Sequence, residues 1–172
     1  PLGYKKLFAH EDVRPSGLKQ SVDDLEQLYT LAAGVHSRLT DTIASEWTAP
    51  DPGEVPFRYA VRGTQASFVV DAVDPGLKTR TSAERKLRDE YLGDVSKLKD
   101  IVRLTLVFET FGELSRALDS VAGLPDWELV SLKNKYVSPT PLGYGDVNTN
   151  VWIPSSGGKL LCEIQFHVRS VL

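Results

Sequence analysis

The sequence predicts an α+β domain, a mixed β-sheet of about five strands flanked by helices. Three observations predict it. Residues 160–168, LLCEIQFHV, alternate: Leu160, Cys162, Ile164, Phe166 and Val168 fall on one side, Leu161, Glu163, Gln165 and His167 on the other. That is the period of a half-buried strand. Residues 22–47 instead carry Leu25, Leu28, Leu31, Val35, Leu39, Ile43 and Trp47 at helical spacing, the stripe of a helix packed on a core. Along the chain the segments read helix, strand, helix, strand, helix, strand, strand, strand, an order that sets helices against a sheet.

The elements follow from local signals. Ser21 and Asp24 have capping-box spacing ahead of the first helix. TAPDPGEVP, 48–56, is a Pro-rich loop. FRYAVRGTQASFVV, 57–70, reads either as an irregular segment or as a strand pair around Gly63. GLKTR, 76–80, reads as a short strand. Thr81 and Glu84 form a capping box for a second helix that runs to about residue 92, before Gly93. LKDIVRLTLVFE, 98–109, is a β-rich run that opens near Asp100. Thr110 and Glu113 cap a third helix bearing Leu114, Leu118 and Val121. WELVSLKNKY, 127–136, is a strand and SPTPLG a turn. Two last strands, 144–153 and 159–169, are joined by PSSGG as a hairpin.

A chain of 172 residues forms one domain, read as a helical extension over 1–70 and a catalytic core over 76–170. Its 41% hydrophobic and 25% charged residues are those of a globular, water-soluble protein. No apolar run is long enough to span a membrane, and nothing resembles a signal peptide. The single Cys162 excludes an internal disulfide framework and reads as a small core residue. The chain starts Pro-Leu-Gly and contains no Met, so it reads as a fragment or processed product of something longer. No apolar face is left over, so a monomer is expected.

The net charge of −3 does not favour nucleic acid as a partner. The distribution says more than the sum. Lys78, Arg80, Arg85, Lys86, Arg88, Lys97, Lys99 and Arg103 make 8 of the 20 basic residues within 26 positions. Such a run reads as a solvated helix face or as an anion site. The last hairpin adds a polar surface: Tyr144, Asp146, Asn148 and Asn150 share a sheet face with Glu163, Gln165 and His167 in one register and oppose them in the other. A carboxylate in mid-strand, as at Glu163, is unusual. Two carboxylates on neighbouring strands, Asp100 and Glu163, can hold Mg²⁺, which takes oxygen ligands and shares them with phosphates. The basic run, with the dipole of the helix near Ser82, would neutralise those phosphates. Lys133 and Lys135 on strand 127–136 could extend it. His167 has no zinc-ligand spacing to His10 or His36 and reads as a hydrogen-bonding residue or as plain packing. There is no nucleophile elbow, Walker loop or dinucleotide fingerprint.

The order of these pieces, a basic segment with a capped helix, KDIVRLTLVF, KNKYVSPTPLGYGDVNTNV and LCEIQFHV, resembles the synthetase domain of RelA/SpoT-type enzymes over about residues 76–170, with a divergent, toxin-like branch the nearest match. The resemblance implies a nucleotidyltransferase-like fold and transfer of the β,γ-pyrophosphate of ATP to the 3′-hydroxyl of a purine nucleotide, with Mg²⁺. It implies Asp100 and Glu163 as metal ligands, with Glu163 also a general base. It implies Lys78 and Arg80 on the donor phosphates, assisted by Arg85 or Lys86. Tyr144 would stack on the acceptor base, and Lys133 and Lys135 would sit near acceptor phosphates. Asn148 stands where typical members have His, Gln165 matches a family Gln, Thr105 replaces a family Arg with Arg103 nearer the strand start, and Gly145 stands where the divergent branch often has Arg.

Pyrophosphoryl transfer needs positioning, a metal and cations more than covalent chemistry, and these residue types supply them. The expected partners are ATP, an ADP/ATP or GDP/GTP acceptor and, for a toxin acting in the bacterial cytoplasm or delivered there as a secreted effector, an immunity protein. Pyrophosphorylation of a tRNA 3′ end is an alternative that the acidic charge disfavours. A non-catalytic nucleotide-binding module and a nucleotidyl-transferring enzyme are the rivals of other classes.

Overall fold

A computed structural model describes residues 14–48, 58–61, 68–137, 141, 143 and 145–171. Among the described residues three helices, Leu25–Glu46 (α1), Arg80–Asp89 (α2) and Phe111–Ala122 (α3), pack with a seven-stranded mixed sheet. The strands are Trp47–Thr48 (β1), Arg58–Val61 (β2), Phe68–Val73 (β3), Arg103–Phe108 (β4), Glu128–Asn134 (β5), Val147–Ser155 (β6) and Gly158–Val168 (β7). Their order is β1-β2-β3-β4-β7-β6-β5. Every neighbouring pair is antiparallel except β4 and β7, which run parallel. The five strands from β3 to β5 have six residues or more, and β1 and β2 are a short extension at one edge. Of the two readings of 57–70, the described residues form the strand pair, β2 with β3; residues 57 and 62–67, Gly63 among them, lie outside the described residues.

The core explains why the sheet keeps one face for chemistry. Leu28, Ala32, Val35, Leu39 and Ile43 recur along α1 at helical spacing and are buried in one cluster with Ala83 and Leu87 of α2 and Leu114, Ala117, Leu118 and Val121 of α3. The same cluster contains Leu160, Cys162, Ile164, Phe166 and Val168 of β7. Each large side chain so buried stabilises the fold by about 1.5–3 kcal/mol. Alternation then sends Glu163 and Gln165 to the opposite face.

Local signals were used somewhat differently from their spacing. Asp24, not Ser21, caps α1: its Oδ1 accepts from the Gln27 N–H at 2.8 Å. The Ser21 hydroxyl donates to the Lys159 carbonyl instead. Thr79, not Thr81, caps α2, accepting from the Ser82 N–H. GLKTR is therefore a loop and cap rather than a strand, with one ladder-like bond from the Lys78 N–H to the Ile101 carbonyl at 2.9 Å. The Thr110–Glu113 capping box of α3 forms in both directions. β4 begins at Arg103, so Asp100 lies three residues ahead of it, after a 3₁₀ turn at Val95–Lys97. The β6–β7 hairpin closes with Ser155 opposite Gly158, whose φ of 133° suits a residue without Cβ.

Candidate active site

The hairpin register sets which polar residues meet. In β6 and β7, Asn150 is opposite Glu163 and Asn148 is opposite Gln165. Across β5, Ser131 is opposite Asn150 and Lys133 opposite Asn148. On the other side, parallel β4 sets Arg103 beside Glu163 and Thr105 beside Gln165. With a period of two, these residues share the face turned away from the helices. The Glu163 carboxylate is held at both oxygens: Asn148 Nδ2 donates to Oε2 at 2.9 Å and Gln165 Nε2 donates to Oε1 at 3.0 Å. Ser131 Oγ donates to Asn150 Oδ1 at 2.9 Å.

Asp100 stands at the edge of this face, on the loop leading into β4. Lys78 Nζ and Lys86 Nζ each lie 3.0 Å from its Oδ2. The Asp100 side chain is only 13% exposed, and its Oδ1 is buried with no hydrogen-bond partner among the described residues. Lys78 comes from the loop before α2 and Lys86 from the second turn of the helix, so the Thr79 cap brings the two ammonium groups onto one oxygen. Between strands, the Glu163 N–H donates to the Val102 carbonyl at 2.9 Å, tying the two carboxylate-bearing segments together.

The two carboxyls are driven in opposite directions. Burial pushes Asp100 up, but the charge and hydrogen bonds of Lys86 and Lys78 outweigh it and hold it below the ordinary carboxylate range. Burial pushes Glu163 up, and the charge of Asp100 adds to that. The Asn148 bond, Lys86 and Arg103 oppose it without reversing it. Asp100 is thus the stronger acid of the two carboxyls and Glu163 the stronger base. Arg103 Nε is buried beside this pair with no hydrogen-bond partner among the described residues.

The other sequence-derived candidates lie in different settings. Arg80 turns away, donating from both terminal guanidinium nitrogens, Nη1 and Nη2, to the Glu26 carboxylate of α1 and stacking 4.9 Å from the Tyr29 ring centroid. Arg85 is exposed on α2, and of that pair it is Lys86 that reaches Asp100. Lys135 forms an ion pair of 2.8 Å with fully buried Asp146. His167, 4% exposed, is buried near that pair, and burial pushes its imidazole down, partly offset by Asp146. Tyr144 falls outside the described residues. Gly145 packs against the Tyr136 ring so closely that a Cβ would lie 2.7 Å from Cδ1. No cluster of three or more His, Cys, Asp or Glu side chains forms among the described residues. No helix among them is long and apolar enough to cross a membrane.

Beside the carboxylates an open cavity of about 210 Å³ is lined by Arg14, Lys99, Ser131, Lys133, Asn148 and Asn150, among others. Lys99 precedes Asp100, and Asn148 touches Glu163, so the cavity continues the same face. Ser131 was not singled out from the sequence, and Asn150 and Lys99 entered it only through the polar hairpin face and the basic run, not as site residues of their own. Period two on β5 and β6 was the signal available for the first two.

Comparison with solved structures bears on the fold. The small alarmone synthetase 1 from Bacillus subtilis, bound to its product pppGpp, superposes with a TM-score of 0.64 at 16% identity, covering 85% of this chain and 73% of that one. The fold is that of the RelA/SpoT-type alarmone synthetases. A GTP pyrophosphokinase family protein from Streptococcus pneumoniae shares this synthetase fold with a TM-score of 0.60 at 15% identity, over 85% of this chain and 70% of that one. The Type VI effector Tas1, in complex with its immunity protein, shares it with a TM-score of 0.56 at 19% identity, over 85% of this chain and 62% of the effector. No family profile and no curated protein sequence matches the chain.

Proposed function

We propose that this chain is an ATP:purine-nucleotide 3′-pyrophosphokinase acting on ADP/ATP or GDP/GTP. The observation that carries the reading is the pair Asp100 and Glu163: two carboxyls on adjoining segments, the first buried and the second half-buried, shifted in opposite directions, with Lys78 and Lys86 converging on the first. The synthetase fold supports the same class of reaction.

In this reading the acceptor 3′-oxygen attacks Pβ of ATP, the bond between Pβ and the α,β-bridging oxygen breaks, and AMP leaves. Glu163 accepts the hydroxyl proton, its raised proton affinity suiting a base that works near neutrality. Lys78, Lys86 and Arg103 supply positive charge to the donor phosphates as charge shifts toward AMP. Lys99 and Lys133 serve the acceptor phosphates from the cavity. The buried, unpartnered Asp100 Oδ1 and the Glu163 carboxylate are hard oxygen donors that fit Mg²⁺. When bound, that ion would neutralise phosphate charge and align the donor. The likeness in fold to an effector that has an immunity protein supports a toxin role with an immunity partner.

The test is product analysis after incubation with ATP, Mg²⁺ and each acceptor. Release of AMP in step with a new 3′-modified nucleotide supports the reading. Release of pyrophosphate marks nucleotidyl transfer and overturns it.

A further inference from the structure

Gln20 lies in the segment before α1, far in sequence from both carboxylates, Asp100 and Glu163. Its side chain is nevertheless buried, with 7% of the residue exposed. Nε2 donates to the Leu98 carbonyl and to the Leu161 carbonyl, each at 2.9 Å. Oε1 accepts from the Leu161 N–H, also at 2.9 Å. The Gln20 main-chain N–H donates to the Ser96 carbonyl at 2.7 Å.

The two anchoring points have a common relation to the site. Leu98 is two residues before Asp100, and Leu161 is two residues before Glu163. The β4–β7 ladder begins only at Arg103 and Glu163. Ahead of it, the edge of β7 that faces the Asp100 segment lacks a strand partner. One carboxamide fills the gap, satisfying both polar groups of Leu161 as a peptide unit of a neighbouring strand would, and it spends its second donor hydrogen on the segment that carries Asp100.

We infer that Gln20 is a positioning residue for the candidate active site, a side-chain clamp that fixes the spacing between the segments bearing Asp100 and Glu163. The inference rests on the proposed function for its kinetic consequence and on the hydrogen bonds alone for its structural one. Polar groups placed within a fraction of an ångström are what phosphoryl-transfer sites require, and a misplacement of about 1 Å can cost about 100-fold in rate.

The neighbouring bond from Ser21 to the Lys159 carbonyl fastens the same segment without touching either carboxylate segment so near the site. Ser21→Ala is therefore the comparison. The experiment measures kcat and KM for ATP in the full chain with Mg²⁺, and hydrogen exchange at the Leu161 amide, for wild type, Gln20→Ala, Gln20→Glu and Ser21→Ala. The expected result for Gln20→Ala is a kcat lower by about 10- to 100-fold, an ATP KM little changed, and faster exchange at Leu161. Gln20→Glu keeps the acceptor for the Leu161 N–H and loses both donors, so exchange stays slow while kcat still falls. It also serves if Gln20→Ala does not fold. Ser21→Ala leaves kcat near wild type.

A kcat near wild type in folded Gln20 variants overturns the inference, as does an equal loss in Ser21→Ala. Unchanged exchange at Leu161 in folded Gln20→Ala also overturns it. A wild-type protein that transfers nothing to any acceptor defeats the proposed function instead, and the Leu161 exchange then still decides whether the clamp exists.

Discussion

Asn148 and Glu163 are diagonal neighbours across the β6–β7 ladder, joined by a 2.9 Å hydrogen bond from Nδ2 to Oε2. That bond favours the ionised carboxylate against the burial that disfavours it. Asn148→Ala therefore raises the proton affinity of Glu163 further. The acidic limb of the kcat profile should move to higher pH, with turnover at neutral pH down by about 10-fold, the scale of a hydrogen bond to a charged group. A profile unchanged in position would show that Glu163 is not the titrating base.

Glu163→Gln separates stability from function. A carboxyl whose folded pKa is raised binds its proton more tightly in the folded chain than in the unfolded one. The folded state is therefore relatively favoured at low pH and loses ground as pH rises from the unfolded value through the folded one. A neutral amide escapes that loss. Glu163→Gln should have a higher Tm than wild type at neutral pH and less of an advantage in acid, while turnover falls by about 100- to 10,000-fold. Thermal melts at two pH values with matched kinetics check both halves.

Asp100 has the opposite sign. Its folded pKa is depressed, so its contribution is complete above the unfolded value of about 4 and is lost as pH falls through the folded one. Lys86→Met removes one of the two ammonium partners at 3.0 Å. Urea denaturation should show a loss of about 1–3 kcal/mol at neutral pH. The acid-induced loss of stability should be shallower than in wild type.

Gly145 is fixed by Tyr136. The Tyr136 ring is held edge-on to Phe111 at 4.9 Å between centroids, and its hydroxyl accepts from the Val168 N–H at 2.8 Å. A methyl at residue 145 would meet the ring at 2.7 and 2.9 Å. Gly145→Ala should destabilise by about 1–3 kcal/mol. Adding Tyr136→Ala should cost less than the sum of the two single changes, because the clash is gone. Strict additivity in the double-mutant cycle would contradict this packing.

Much of the fold was legible because hydrophobic periodicity reports burial directly. β7 alternates since one face lies on α1 and α3, and α1 shows its stripe for the same reason. The register that brings Asn148 and Asn150 onto the Glu163 face was not legible, because a slip of one residue leaves the alternation intact and only the turn at 156–157 sets it. Caps were ambiguous where two candidates stood close together, as Thr79 and Thr81 did. The convergence of Lys78 and Lys86 on one Asp100 oxygen depended on which Thr won. Gln20 was invisible: its partners are backbone groups of Leu98 and Leu161, 78 and 141 residues away, and backbone groups leave no mark in a sequence.

The most direct test of the account is transfer of label from γ-³²P-ATP, with Mg²⁺, to ADP, ATP, GDP, GTP or deacylated tRNA, resolved by thin-layer chromatography for wild type and Asp100→Asn. The account predicts a new labelled purine nucleotide with wild type, accompanied by AMP, and its loss with Asp100→Asn. Label appearing only as orthophosphate, or no transfer to any acceptor while ATP still binds, would contradict it.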